Sequence, residues 1–125
     1  QTVKGRFMNA ISPEWKYREA EPDILINDEY DLSSYGIGGR IVPTPGHTQG
    51  SLTIILDTGE MLVGDLVRGK PSNINLGMFY EDREVLVHSL ADLVTRPSSW
   101  IYMSHGGQID HALFKKAVQN LSEKE

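Results

Sequence analysis

Four short apolar runs, with three residues beside them that can bind a metal ion, constrain the fold of this chain more than any other feature. His47 lies in the loop 45–51, Asp65 directly follows one apolar run, and His105 closely follows another. The runs are 41–42, 52–56, 61–64 and 100–103. Runs of this length are typical of strands, and strand ends hold loop side chains at fixed separations. The pattern therefore predicts a sheet with these three side chains in the loops at its strand ends.

Imidazole and carboxylate form a ligand set that suits zinc, and also iron or manganese. Each residue also has a purely structural interpretation: His47 as an exposed loop histidine, Asp65 as a turn acid or helix cap, and His105 as part of a strand-to-helix turn. Gly46 and Gly50 favour the metal interpretation for His47, because glycines permit close backbone approach.

The loop P-G-H-T-x-G-S, the strand ending in G-D and the strand ending in S-H-G resemble, in this order, the metallo-β-lactamase superfamily of hydrolases. The resemblance runs from about Pro22 to Leu121. The leading motif of that family, H-x-H-x-D-H, is absent. The four histidines are His47, His88, His105 and His111, and no two have H-x-H spacing. The chain resembles the C-terminal half of such a hydrolase without its N-terminal half.

This resemblance implies an α/β (α+β) fold: half of an αββα sandwich, with a mixed sheet and helices on one face, in a single domain spanning residues 1–125. It also implies two zinc ions. His47 would help complete the first metal site, Asp65 would bridge both ions, and His105 would belong to the second. Two such ions lower the pKa of a bound water to about 7 in metal-dependent hydrolases.

Only three of the expected ligands are in the chain, so we expect weak or absent zinc binding and an isolated chain without hydrolase activity. The alternative is a non-catalytic homodimeric module that keeps the fold but has no metal centre. The substrate is not predicted by either interpretation. His88 and His111 are expected to be structural, while Arg68 and Lys70 could hold an anionic substrate group but are more typical of solvated loop charges.

Composition limits the partners. The net charge of −5 and the pI near 5.3 argue against nucleic acid or an anionic membrane surface. The absence of cysteine excludes thiolate metal ligands and disulfides. No apolar run has transmembrane length and no signal peptide is visible, so we expect a cytoplasmic protein.

The missing half would leave one face of the sheet uncovered. We therefore expect either a homodimer or association with an N-terminal half, through a face that includes Leu52, Ile54, Leu56 and Leu62. The consecutive apolar residues Ile54-Ile55-Leu56 separately predict that both faces of their strand are covered.

The remaining elements follow from periodicity and turn residues. A leucine stripe predicts a helix over 81–95, and a second apolar stripe predicts a helix over 108–121. The other predictions are a helix beginning at Ser12, an extended segment over 23–32, strands over 40–44, 51–56, 61–64 and 100–104, and an irregular loop over 68–80.

Overall fold

The computed structural model describes residues 20–123. The predicted helix beginning at Ser12 lies outside them. The elements are β1 (Tyr30–Asp31), a 3-10 turn (Ser33–Tyr35), β2 (Gly39–Pro43), β3 (Leu52–Leu56), β4 (Glu60–Gly64), β5 (Val67–Lys70), β6 (Asn73–Leu76), α1 (Arg83–Thr95), β7 (Trp100–Met103), β8 (Gly107–Asp110) and α2 (His111–Ser122).

Six strands form one mixed sheet in the order β1-β2-β3-β4-β7-β8. Every neighbouring pair is antiparallel except β4 and β7, which run parallel with α1 in the connection between them. The strands β5 and β6 form a separate hairpin. The predicted mixed sheet with two helices is confirmed, and so is the α/β (α+β) class.

The core lies between one face of the sheet and the two helices. Alternate residues of β3, β4 and β7 are buried, as expected for strands with one covered face. They pack with the apolar stripes of both helices. The core residues of the sheet include Val42, Ile55, Met61, Val63 and Ile101, and those of the helices are Leu86, Leu90, Leu93, Phe114, Val118 and Leu121.

The opposite face of the sheet is not covered by the described residues. Leu52 and Leu62 are 40% and 39% exposed, although they lie in the middle strands. The expectation that both faces of these strands are buried is therefore wrong for residues 20–123. The reason is that both helices pack on the same side.

The second helix begins later than predicted, at His111 instead of residue 108. Residues 107–110 form β8, and its pairing places Ile109 opposite Ile101 in the core. Asp110 then caps the helix, because its side chain accepts a hydrogen bond from the backbone N–H of Leu113 at 2.8 Å. Apolar periodicity alone did not separate this short strand from the helix that follows.

The predicted loop over 68–80 is also partly wrong, because it contains most of the β5–β6 hairpin. The two strands pair from Val67 with Leu76 to Lys70 with Asn73, and Pro71-Ser72 forms the turn. The hairpin was not predicted because apolar and polar residues alternate only weakly along its strands. The polar side chains there belong to Arg68, Lys70, Asn73 and Asn75. The first helix, predicted over 81–95, begins at Arg83 and is capped by Asp82.

Gly46 fixes the loop before His47 against α1. Its φ is +129°, and a Cβ added there would lie 2.3 Å from the backbone of Leu86. The carbonyl oxygen of Gly46 also accepts hydrogen bonds from the N–H groups of Glu81 and Asp82, both at 3.0 Å. No side chain fits at this position without moving either the loop or the helix.

We predict that Gly46→Ala lowers the free energy of unfolding by more than about 3 kcal/mol, because its Cβ would overlap backbone atoms. Gly50→Ala is the matched control in the same loop, since a Cβ there meets nothing within 4 Å. Its effect should stay within about 1 kcal/mol. Urea denaturation measures both, and equal stability of the two variants would contradict the packing described.

A surface ion-pair network joins the segment before β1 to the end of α1. The Arg96 guanidinium hydrogen-bonds to Glu29 at 2.6 Å, and Arg40 lies 3.6 Å from the same carboxylate. The hydrogen bond from Arg96 lowers the pKa of Glu29 below its ordinary value near 4.5. A lowered pKa means that the pair stabilises the folded chain above pH 4.5, and that this contribution is lost as the pH falls through the folded-state pKa.

We predict that Glu29→Gln reduces stability by less than about 1 kcal/mol at pH 7, because the Glu29 side chain is 47% exposed and solvent screens the pair. The difference from the unmodified chain should shrink as the pH falls below 4.5 and through the lowered folded-state pKa of Glu29. Glu21→Gln, at an exposed position, is the control and should change stability at neither pH. Thermal denaturation across this range tests the prediction, which fails if the Glu29 effect is independent of pH.

Candidate functional site

The loop between β2 and β3 carries His47 and is held closed by hydrogen bonds. The N–H of Thr44 donates to the carbonyl oxygen of Ser51 at 2.8 Å, and the N–H of Thr48 donates to the Ser51 hydroxyl at 3.1 Å. On the helix side, the Ser89 hydroxyl donates to the carbonyl oxygen of Pro45 at 2.7 Å. His47 therefore stands on a loop that is fixed at both the sheet and α1.

Asp65 and His105 follow the two parallel strands, and parallel strands end at the same edge of a sheet. The register between β4 and β7 shifts between Leu62 and Gly64, where Gly64 has φ +60°. A bulge of this kind redirects the chain, here just before Asp65. A hydrogen bond from the N–H of Ser104 to the carbonyl oxygen of Gly64, at 3.1 Å, joins the two strand ends.

The three predicted side chains converge at this edge. His47 Nε2 lies 3.9 Å from Asp65 Oδ2, and His105 Nε2 lies 3.5 Å from Asp65 Oδ1. Each imidazole is therefore near a different oxygen of one carboxylate. His47 is the most buried of the three, and the side chain of His105 is mainly exposed.

A backbone hydrogen bond decides the tautomer of His47. Its Nδ1 is 2.5 Å from the carbonyl oxygen of Phe79. A carbonyl oxygen can only accept, so Nδ1 must carry the proton. In the neutral ring, Nε2 then has a free lone pair on the side that is closest to Asp65. Metal-binding histidines are oriented in the same way, by a hydrogen bond from the other ring nitrogen.

The side chains line a cleft of about 310 Å³. Its other lining residues are Arg68, Gly77, Met78 and Phe79. The interpretation of Arg68 as a solvated loop charge missed this position. The sequence does place Arg68 only three residues after Asp65, which could have indicated that the two are close. The β5–β6 hairpin is what brings the Arg68 side chain to the cleft. Gly77 was also missed; a Cβ there would lie 2.4 Å from the carbonyl oxygen of Asp65.

The other two histidines lie outside the cleft. His88 is exposed on α1, and His111 is the first residue of α2, where its Nδ1 is 2.6 Å from the Ser98 hydroxyl. Ser98 and His111 are at the end of the sheet opposite Asp65. Lys70 lies on β5 but does not line the cleft.

The cleft residues match only part of a metal centre. Within residues 20–123, no group of three or more histidine, cysteine, aspartate or glutamate side chains is arranged so that it could hold a metal ion. The donor chemistry suits zinc, but among the described residues the Asp65 carboxylate is the metal-type ligand that lies beside each imidazole of the cleft. Across the same residues, no helix is both long and apolar enough to cross a lipid bilayer.

Neither a protein-family model nor a curated protein matches this sequence. Solved structures do match. A metallo-beta-lactamase superfamily protein from Sulfolobus tokodaii is 18% identical with a TM-score of 0.62, and the match covers 97% of this chain and 48% of that one. A metallo-beta-lactamase from Pontibacter korlensis is 21% identical with a TM-score of 0.62, over 85% and 51%.

A third match, VMB-1, is 18% identical with a TM-score of 0.66, over 95% of this chain and 52% of that one. The chain spans about half the length of each of these three proteins. At these identities the likeness establishes the fold alone. The chain thus has the architecture of about half of a metallo-β-lactamase superfamily domain.

Proposed function

We propose that this chain is part of a metal-dependent hydrolase domain of the metallo-β-lactamase type. In this proposal, His47, Asp65 and His105 are its contribution to a dinuclear zinc site that other residues must complete. The isolated chain would then be inactive.

The arrangement of the two histidines around Asp65 carries the proposal. Each Nε2 lies within 4 Å of a different carboxylate oxygen. This is the relation expected where one carboxylate is shared by two metal ions, each with its own imidazole. The Phe79 carbonyl supports the same interpretation, because it keeps the lone pair of His47 on the Nε2 atom nearest Asp65.

The count of donors explains why the site would be incomplete. Each ion would receive one imidazole and one oxygen of Asp65, whereas a catalytic zinc usually has three protein ligands. The comparison proteins are about twice as long as the matched region, so they contain residues that have no counterpart here.

When bound, the metal ions would polarise a carbonyl or phosphoryl oxygen and supply a nucleophile from water near neutral pH. The chain's own residues would have other tasks. His47 and His105 would hold the two ions apart on either side of Asp65. Met78 and Phe79 give the cleft an apolar wall, while Arg68 adds a positive charge to its lining.

One observation favours a second candidate, a non-catalytic homodimeric module without a metal centre. Within residues 20–123, no cluster of three metal-type ligands is geometrically able to hold an ion. Under this alternative the three residues would be a polar cluster at one end of the sheet without a bound ion. A measurement of zinc binding distinguishes the part of a metal-dependent hydrolase from the non-catalytic module.

We predict that the chain binds zinc weakly, with a Kd in the micromolar range or above, because a site with few protein ligands contributes little binding free energy. His47→Ala should abolish this binding. His88→Ala should leave it unchanged, because that histidine is exposed outside the cleft. The affinity should fall as the pH drops below about 6, because imidazole must be neutral to bind a metal. Calorimetric titration measures all three effects.

Three results would oppose this proposal in different ways. No zinc binding at any concentration would favour the non-catalytic module. Equal loss in both histidine variants would contradict the choice of ligands. Tight stoichiometric zinc together with esterase or lactamase turnover would contradict the claim that the chain is catalytically incomplete.

A further inference from the structure

A second groove adjoins the cleft, on the outer face of the β5–β6 hairpin. Its volume is about 460 Å³, and Arg68 lines both the groove and the cleft. The pairing of the strands explains this position. Val67 and Leu76 are paired and pack on the core, and the next pair, Arg68 and Asn75, projects from the opposite face. The hairpin thus presents an apolar face to the core and a polar face to the groove.

The polar face of the hairpin carries positive charge in an acidic protein. Residues 66–80 include two basic residues, Arg68 and Lys70, and no aspartate or glutamate, whereas the whole chain has a net charge of −5. Both basic residues line the groove, together with Gly69, Ser72, Asn73 and Asn75. The groove therefore offers positive charge and polar groups without a carboxylate among its lining residues.

Arg68 differs from the other arginines of residues 20–123 in having no partner there. Arg40, Arg83 and Arg96 each have a carboxylate or a carbonyl oxygen as a partner. Arg68 has neither within that part of the chain, although it is partly buried. A guanidinium is always charged, and its planar fork of donors matches a carboxylate or a phosphate. An anionic ligand would supply the partner that Arg68 lacks in the described residues.

The backbone on both sides of Arg68 is fixed to the candidate site. The N–H of Gly69 donates to the carbonyl oxygen of His105 at 3.1 Å. The N–H of Gly77, at the other end of the hairpin, donates to the carbonyl oxygen of Leu66 at 3.2 Å. Arg68 is therefore held at a constant place beside the cleft, as a binding subsite requires.

A hydrogen bond between two asparagines leaves a further donor in the groove. The Nδ2 of Asn75 donates to Oδ1 of Asn73 at 3.0 Å. This bond occupies the acceptor atom of the Asn73 amide and leaves its Nδ2, which has two N–H donors, on a residue that lines the groove. The groove thus combines a guanidinium, the ammonium of Lys70 and an amide, and such donors bind carboxylate and phosphate groups.

We propose that this groove binds an anionic group of a substrate, either a carboxylate or a phosphate, while the reacting group of the same molecule lies in the cleft. Arg68 would form a bidentate pair with the anion, and Lys70 and Asn73 would add donors. The volumes of the cleft and the groove, about 310 and 460 Å³, fall within the range of small-molecule sites. The substrate is then a small hydrolysable compound with a negative group separate from the bond that is cleaved. Its role as a substrate subsite rests on the proposed function; anion binding at the hairpin does not.

Titration of the metal-free chain with inorganic phosphate and, separately, with succinate tests anion binding at the hairpin. In ¹H–¹⁵N NMR spectra, a bound anion should shift the side-chain Nε–Hε signal of Arg68 and the amide signals of residues 68–75 in a saturable way. Either response supports the inference, and the anion that binds more tightly identifies the group as phosphate or carboxylate. No saturable shift with either anion would overturn it.

Substitutions of the basic residues show where the anion binds. Arg68→Gln should weaken the binding about tenfold, because it removes a charge-assisted pair. Arg68→Lys keeps the charge without the planar fork, so it should recover only part of the affinity. Should Arg68→Gln fail to fold, Lys70→Gln serves instead and should also weaken the binding.

Lys115→Gln is the matched control, because it removes one positive charge at an exposed position of α2 outside the groove. It should bind the anion as tightly as the unmodified chain. Equal weakening in Lys115→Gln and Arg68→Gln would mean that the anion responds only to the overall charge, and would overturn the inference.

Zinc titration of the same variants distinguishes this inference from the proposed function. Arg68→Gln keeps the three cleft ligands, so its zinc affinity should not fall although its anion affinity does. His47→Ala should lose zinc, yet in the metal-free state it should bind the anion like the unmodified chain. Anion binding without zinc binding would support the anion site and contradict the proposed function. Zinc binding without anion binding would overturn the anion site and leave the proposed function intact.

Discussion

The parallel pairing of β4 with β7 is the constraint on which the candidate site depends. Parallel strands end at the same edge, so Asp65 and His105 become neighbours although 40 positions separate them. The antiparallel pairing of β2 and β3 returns the His47 loop to that edge. The β5–β6 hairpin and then α1 form the connection from β4 to β7, which allows these two strands to run parallel. Without this connection, the three side chains would not lie together.

Sequence patterns predicted the sheet and the first helix because their signals are local. The leucine stripe of α1 and the Gly59 turn between β3 and β4 each need only a few neighbouring residues. The strand β8 was missed because Gly107–Asp110 resembles the start of the helix that follows it. The β5–β6 hairpin was missed because its strands carry polar residues and give no local strand signal. Its place beside the cleft depends on contacts with distant parts of the chain.

The same distinction applies to the site. Short motifs identified His47, Asp65 and His105, and their side chains do meet. No motif predicted the Phe79 carbonyl as the partner of His47, because a backbone acceptor leaves no residue-type signal. Arg68 belongs to the cleft only through the geometry of its hairpin. The fold and the site are related, because the exposed face of the sheet lies beside the incomplete set of metal ligands.

The protonation of His47 is the central point that a single measurement can test. Long-range ¹⁵N NMR distinguishes the two ring nitrogens of each histidine. The account predicts that Nδ1 of His47 carries the proton in the neutral ring, and that added zinc shifts its Nε2 signal while Nδ1 stays protonated. A proton on Nε2, or an Nε2 signal that zinc does not move, would contradict the assignment of His47 as a metal ligand.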